Sequence, residues 1–275
     1  MERTGSTTAK GRVDWALLAR CLSFGVVAEP AHDEAVAILE TALKKAGILG
    51  AHPFEVIAGT PRARYGARIT LRLPADKSNF LSAFGLDRHP WGPPEWVGFR
   101  IKAVDQLVIK AYHRVVQKGS LSFHEKLAPE LYPVMAALHD GGTETYLRYG
   151  GCCPWEEFVS MALSGWPEDV RLCDFQPHPR AVPDAFCVSE RMQGGELQSI
   201  SLFADYHALP DDETIQDLWT HDMSPHEREI YELTLAAVRS CGERHLGTWH
   251  GMLSWTLERG GIWHKAASLL FPTER

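Results

Sequence analysis

Arginine, lysine and tyrosine recur at every second position on segments that alternate like β-strands between positions 53 and 114. Residues two apart in a strand point to the same side of a sheet. Lys110 and Tyr112 therefore share a face, and Arg100 and Lys102 share one as well. Because buried cations need partners or water, such a face is expected to be wet or to bind an anion.

The overall charge limits which anion this could be. The 275 residues contain 28 Lys and Arg against 35 Asp and Glu, which gives a formal net charge of −7. A dedicated nucleic-acid-binding protein depends on surplus Lys and Arg that contact phosphates. The cationic segments are thus a local feature of an acidic protein, and they suit a small anionic ligand better than a polymer.

Several other classes of site lack their motifs. The six cysteines show no CxxC spacing, so no zinc site is predicted, and neither GxGxxG nor a P-loop sequence occurs. The N-terminal residues do not read as a signal peptide, and no apolar run reaches the ~18 residues of a membrane span. We expect a cytoplasmic protein with reduced thiols.

The hydrophobic pattern predicts a mixture of helices and strands. Helices are expected at 33–45, 77–84, 120–139, 154–164, 211–220 and 225–241. Strands are expected at 54–58, 66–73, 97–104, 107–114, 169–176, 185–191 and 197–205, followed by a hairpin of 248–257 and 262–271.

Most of these strands are joined by turns too short for a crossover, which indicates antiparallel pairs. Nine or ten strands with intervening helices suit a barrel, or a large sheet covered by helices, in the α+β class. We expect a flexible leader at 1–12 and a single domain over 13–275.

Four features, taken in order along the chain, resemble the dimethylallyltryptophan synthase family of aromatic prenyltransferases. They are Glu55 on one strand with Arg68 on the next, Lys110-x-Tyr112 after Asp105, Ser199–Phe203 with Asp211-Asp212 after it, and the closing hairpin of 249–255 and 262–271. The resemblance extends from about position 35 to 272.

The resemblance implies a ten-stranded antiparallel β-barrel encircled by α-helices. It also implies a transferase of secondary metabolism, such as alkaloid biosynthesis, that moves an allylic group from a diphosphate to an indole, a tryptophan or another aromatic acceptor. Neither Mg²⁺ nor another cofactor is expected. The partners would be these two small molecules, with neither nucleic acid nor a membrane, and a homodimer is possible.

Prenyl transfer requires cations for the departing diphosphate, aromatic faces for the allylic cation and an acceptor for the indole N–H. By resemblance, Glu55 is the catalytic candidate. The diphosphate candidates are Arg68, Lys110 and Tyr112, with Arg100, Lys102 and Lys265 as additions. The aromatic shield candidates are Phe203, Tyr206, Trp249, His250, Trp255 and Trp263.

The chain departs from the family on its later strands. The family has further Lys and Tyr residues there, whereas this chain offers Phe186-Cys187-Val188-Ser189 and Ser199–Phe203. Two alternatives therefore remain open. The barrel could cyclise or rearrange a terpenoid–indole substrate with Glu55 as acid or base and no diphosphate bound, or the chain could be a non-catalytic small-molecule-binding α+β protein.

Overall fold

The structure is a computed structural model, in which a defined part of the chain is described below. The described residues are 32–45, 53–59, 68–73, 81–82, 91–103, 106–115, 130–139, 142–164, 166, 183, 185–206, 213, 216–217, 220, 225–240, 250–260 and 262–270.

These residues form three helices and ten strands. The helices are α1 (His32–Lys45), α2 (Trp155–Leu163) and α3 (Pro225–Ser240). The strands are β1 (Pro53–Gly59), β2 (Arg68–Arg72), β3 (Trp96–Ala103), β4 (Gln106–Arg114), β5 (Leu131–His139), β6 (Gly142–Tyr149), β7 (Ala185–Gln193), β8 (Glu196–Asp205), β9 (His250–Glu258) and β10 (Ile262–Leu270).

The ten strands close into a barrel in which each strand pairs with its neighbours in the chain. Strand β1 pairs with β2 on one side and with β10 on the other, and every pairing is antiparallel. The sheet accordingly has no open edge. The predicted antiparallel barrel is therefore what these strands form.

Glycines make two of the connections possible. Gly194 and Gly195, between β7 and β8, have φ values of 60° and 84°, and Gly260, between β9 and β10, has a φ of 95°. A residue with a side chain is strained at positive φ, whereas glycine adopts it freely. Two consecutive glycines at positive φ, such as Gly194 and Gly195, suit a tight hairpin turn. The short turns fix the register of these two strand pairs.

The two faces of the barrel wall differ in chemistry. One face, which we call the outer row, is mainly apolar: it includes Ile69, Val97, Val188, Ile200 and Leu257, all buried, together with the buried polar residues His113 and Glu190. Helices pack against this face. Trp155 and Phe158 of α2 lie 5.1 Å from Trp255 and 5.0 Å from Phe186, between ring centroids. We call these four residues the outer aromatic cluster.

Because α2 and α3 pack on the outer row, the alternate residues of each strand face the interior. This inner row is polar on most strands. It includes Arg68, Thr70, Arg100, Lys110, Tyr112, Glu144, Tyr146, Ser189, Arg191, Ser201 and Thr256, which the strand registers place on one face. The barrel thus has an apolar outside under its helices and a polar interior.

The helix predicted at 120–139 is wrong over its second half, and its first half lies outside the described residues. Met135, Ala136, Ala137 and Leu138 include good helix formers. Residues 131–139 instead form β5, since pairing with β4 and β6 outweighs local propensity. Pro133, which cannot donate to a ladder, lies where the register with β6 shifts.

The remaining predictions agree where the chain is described. Helices at 33–45, 154–164 and 225–241 match α1, α2 and α3, and the closing hairpin matches β9 and β10. The strand at 169–176 and the leader at 1–12 lie outside the described residues, as do most of the helices at 77–84 and 211–220. The helices contact β3, β8, and β1 with β10, so a complete ring of helices stays a prediction.

Within the described part of the chain, no helix has both the length and the apolar character needed to cross a membrane.

Candidate active site

Lys110 is at the centre of the inner row. Its ammonium donates to the carboxylate of Glu144 on β6 and to the hydroxyl of Tyr146, two residues further along, at 2.8 Å. Ser189 on β7 donates to the other carboxylate oxygen of Glu144 at 2.7 Å. Lys110 and Glu144 are both buried. Three strands therefore meet in one buried polar network.

Arg68 reaches the same network from β2 by crossing β3. Its guanidinium carbon lies 5.5 Å from the centroid of the Tyr112 ring, and the Nζ of Lys110 lies 5.3 Å from it. Both distances are in the range of cation–π attraction. The crossing depends on Gly98, because a Cβ built there would lie 2.8 Å from the Cδ of Arg68.

Burial and neighbouring charges shift the ionisation of this network. Burial lowers the pKa of Lys110 to about 7, and the positive charges of Arg68 and Arg100 act in the same direction, while Glu144 opposes them. Burial alone would raise the pKa of Glu144. The charge and the hydrogen bond of Lys110 outweigh it and hold that pKa well below its usual range, so Glu144 is a carboxylate at neutral pH.

Two further donors face the interior without a hydrogen-bond partner among the described residues. The Nε of Arg191, on β7 opposite Glu144, is buried and unpartnered, and so is the hydroxyl of Thr70 on β2. Arg100 is the register partner of Arg68 and adds a further cation to Lys110, Arg68 and Arg191. Buried donors normally have partners, so this wall offers unused hydrogen-bonding capacity to a ligand.

An aromatic surface adjoins the cations. The ring centroid of Tyr146 lies 6.1 Å from that of Tyr112 and 5.9 Å from that of Phe203. We call these three residues the inner aromatic cluster. Trp96 and Met135 pack against it. Burial raises the pKa of Tyr146 well above its usual value, so its phenol stays protonated.

The structure thus brings together five of the predicted residues on one interior wall: Arg68, Arg100, Lys110, Tyr112 and Phe203. Glu55 pairs in register with Thr70 of the inner row, although its side chain lies outside the described ones. The side chains of Lys102, Trp263 and Lys265, and all of Trp249, also lie outside them. In register, Trp263 and Lys265 pair with Leu257 and Trp255 of the outer row.

Two predicted shield residues do not face the interior. Trp255 packs against Trp155 of α2. His250 is buried against α3, where it hydrogen-bonds the hydroxyl of Tyr231 and stacks on its ring. The expectation that these two line the interior is wrong, because both lie on the face that the helices cover. Tyr206 follows the end of β8 and is fully buried, and its role as a shield residue stays a prediction.

Four interior residues were missed: Glu144, Tyr146, Ser189 and Arg191. Glu144 and Tyr146 were missed because the helical interpretation of 120–139 removed the partner strand of β6. The sequence nevertheless contains a sign of this strand, since Thr143, Thr145 and Tyr146 are all residue types that favour strands. Ser189 and Arg191 lie on the strand predicted at 185–191, where Ser189 belongs to the stretch that departs from the family and Arg191 is not among the predicted cations.

Metal-binding side chains are not grouped in this wall. Among the residues that the structure describes, no set of three or more His, Cys, Asp or Glu is arranged to hold a metal ion.

Comparisons with solved structures identify the fold. The prenyltransferase PriB in complex with L-tryptophan and dimethylallyl thiolodiphosphate superposes with a TM-score of 0.63 at 14% identity, covering 96% of this chain and 98% of that one. The 5-dimethylallyltryptophan synthase from Streptomyces coelicolor gives 0.61 at 14% identity, over 93% and 95% of the chains. The chain has the indole prenyltransferase fold.

A third structure supports the same fold from another enzyme. NotF in complex with brevianamide F and dimethylallyl thiolodiphosphate superposes with a TM-score of 0.62 at 10% identity, covering 94% of this chain and 93% of that one. By sequence, the chain matches no protein-family profile and no curated protein. The similarity to these three structures is therefore one of fold, and it holds at 10% to 14% sequence identity.

Proposed function

We propose that this protein is an aromatic prenyltransferase that moves an allylic group, dimethylallyl or longer, from its diphosphate to an indole, a tryptophan-like molecule or another aromatic acceptor. The observation that supports this most strongly is the interior wall itself. Arg68, Arg100, Lys110 and Arg191 line it beside the inner aromatic cluster, and two of its buried donors have no described partner.

The first step would break the bond between the allylic carbon and the diphosphate oxygen. Both electrons leave with the diphosphate, so negative charge grows on its oxygens. Fixed cations and donors aimed at that charge lower the barrier. Arg68, Arg100, Lys110 and Tyr112 would supply them, and the proposal needs no Mg²⁺ because guanidinium and ammonium groups provide the positive charge.

The allylic cation would then face the inner aromatic cluster. The π faces of Tyr112, Tyr146 and Phe203 attract a cation by about 1 kcal/mol or more each when water is excluded. A ring carbon of the acceptor attacks the cation, which forms the new carbon–carbon bond. Loss of a proton from that carbon restores aromaticity, and Glu55 is proposed to hold the acceptor N–H and to take up the proton.

The test is a direct assay for transfer. The protein is incubated with dimethylallyl diphosphate and L-tryptophan, with and without EDTA. The products are separated by liquid chromatography and identified by mass spectrometry. We expect a prenylated product in both conditions, and its loss in Glu55→Gln and in Lys110→Met. No product from tryptophan or from a panel of other indoles and phenols would contradict the proposal.

One observation favours the alternative of cyclising or rearranging a terpenoid–indole substrate. Lys110 already has a counter-ion in Glu144, so the interior is not a purely cationic surface. In that reaction Glu55 would act as acid or base and no diphosphate would bind. Inhibition by pyrophosphate separates the two reactions, since only a transferase with a diphosphate site is inhibited by it.

A further inference from the structure

Glu144 is an anion in the middle of a cationic wall. Its carboxylate accepts hydrogen bonds from Lys110 and Ser189, and its strand position lies opposite Arg191 of β7. It is only 8% exposed. A diphosphate that approached these cations would therefore meet a fixed negative charge at the same place.

Glu144 also uses part of the donor capacity that a ligand would need. An ammonium group has three N–H donors. Lys110 gives one to Glu144 and one to Tyr146, which leaves one for a ligand. An anion that is to make two contacts with Lys110 has to take the place of Glu144 or of Tyr146, and Glu144 is the one that repels it.

The ionised state of Glu144 is secured by its surroundings. Burial disfavours a charged carboxyl, yet the neighbouring Lys110, the hydrogen bond from Ser189 and the charge of Arg68 together keep its pKa low. In the ligand-free site Glu144 is therefore charged at neutral pH, and an incoming anion meets it as a repelling charge.

We propose that Glu144 is a built-in competitor for the anion site of this barrel and sets how much negative charge a ligand must carry to bind. A ligand with one charge gains little by replacing a carboxylate on Lys110, whereas pyrophosphate offers several charges to Lys110, Arg68, Arg100 and Arg191 together. This inference rests on the proposed function and deepens it, since it names a residue that selects polyanions.

The experiment compares two ligands with three proteins. Pyrophosphate and inorganic phosphate are titrated calorimetrically into the wild type, Glu144→Gln and Glu196→Gln, with EDTA present. The matched control, Glu196, forms an exposed ion pair with Arg259, so its substitution changes the net charge equally away from the interior. The titrations are run well below the pKa of about 7 of Lys110, because Glu144 raises that pKa and its removal in Glu144→Gln lowers it further.

We expect Glu144→Gln to bind pyrophosphate about tenfold or more tightly than the wild type, because removing a unit charge within a few ångströms of a polyanion is worth at least that much in a protein interior. The gain should be smaller for phosphate, which carries less charge. Glu196→Gln should match the wild type for both ligands.

The other outcomes are equally informative. Unchanged affinity in Glu144→Gln would make Glu144 a structural residue, and weaker affinity would make it a residue that positions Lys110; either result overturns the proposal. If the wild type binds no pyrophosphate and Glu144→Gln does, the competitor role stands and diphosphate is removed as the natural ligand. If neither protein binds, both ideas fail.

A second variant covers the case in which Glu144→Gln does not fold. Ser189→Ala keeps the charge of Glu144 and removes one of the hydrogen bonds that hold it. The carboxylate then leaves Lys110 more readily, so pyrophosphate should bind about tenfold more tightly, which corresponds to the weaker of the hydrogen bonds made to charged groups. Equal or weaker binding by Ser189→Ala would overturn the proposal without Glu144→Gln.

Discussion

The inner and outer aromatic clusters contain the same kinds of residue on opposite sides of one barrel wall. The outer cluster joins helix α2 to strands β7 and β9 through four rings with no described cation among them. The inner cluster has the cations of Arg68 and Lys110 over the Tyr112 ring, and Lys110 also lies 5.4 Å from the Tyr146 centroid.

The difference shows what each cluster is built to do. Aromatic rings that pack only on other rings gain free energy from burial and stabilise the fold. Rings next to buried cations have charged neighbours, and burying those charges is costly unless they are paired or bind a ligand. We therefore expect substitutions in the outer cluster to reduce stability, and those in the inner wall to reduce activity.

The largest effect is expected for Lys110→Met. Loss of a donor aimed at developing negative charge reduces turnover about 100- to 1000-fold. The variant also leaves Glu144 as an unpaired buried carboxylate, which costs about 3–5 kcal/mol of stability. Urea denaturation and the transfer assay measure the two effects.

The double variant Lys110→Met with Glu144→Gln separates them. It removes the unpaired charge, so most of the lost stability should return while activity stays absent. Recovery of activity in the double variant would show that Lys110 does not assist the departing diphosphate.

Next in size is the pair Phe158→Ala and Phe203→Ala, one from each side of the wall. Phe158 is fully buried in the outer cluster, so its loss should lower the free energy of unfolding by about 3–5 kcal/mol with normal turnover per folded molecule. Phe203 is half-buried on the inner row, and its loss should reduce turnover about tenfold at a smaller cost in stability. The reverse pattern would show that the two clusters have been assigned the wrong roles.

Gly98→Ala tests the path by which Arg68 reaches the site. The added methyl would meet the Arg68 side chain at 2.8 Å and push it away from Tyr112. We expect pyrophosphate to bind about tenfold more weakly, as for the loss of one charge-assisted contact, with little change in unfolding. Gly150→Ala, whose methyl would meet the exposed ring of Tyr132 and, at 3.5 Å, the backbone oxygen of Glu130, is the control.

The smallest effect is a dependence on pH. The folded pKa of Lys110 is about 7, and its protonated form is the one that attracts an anion. Pyrophosphate affinity should therefore be highest below about pH 7 and fall about fivefold between pH 7 and pH 8, as the protonated fraction of Lys110 falls. Lys110→Arg keeps its charge throughout, so its affinity should stay flat once the ionisation of pyrophosphate itself is subtracted.

The sequence predicts much of this barrel, and the reasons are local. The alternation of polar and apolar residues at Arg68–Arg72 and at Gln106–Arg114 predicts both the strands and their cationic faces. The sequence alone therefore places Lys110 and Tyr112 on one face. The closing hairpin is predicted by its turn glycines.

The failures have a different cause. Leu131–His139 has helix-forming residues and becomes a strand only because β4 and β6 pair with it, which is a tertiary effect that a local pattern does not contain. The same limit hides Glu144, whose meaning depends on Lys110, 34 residues earlier. Trp255 and His250 were placed inside because aromatic type alone does not say which face a helix will cover.

The most direct measurement is a calorimetric titration of dimethylallyl diphosphate, in the presence of EDTA, into the wild type and Lys110→Met. Saturable binding by the wild type that is lost in the variant is the expected result, since the cations of the inner wall would hold the diphosphate. Absence of binding by the wild type, or equal binding by both proteins, would contradict a diphosphate site at Lys110.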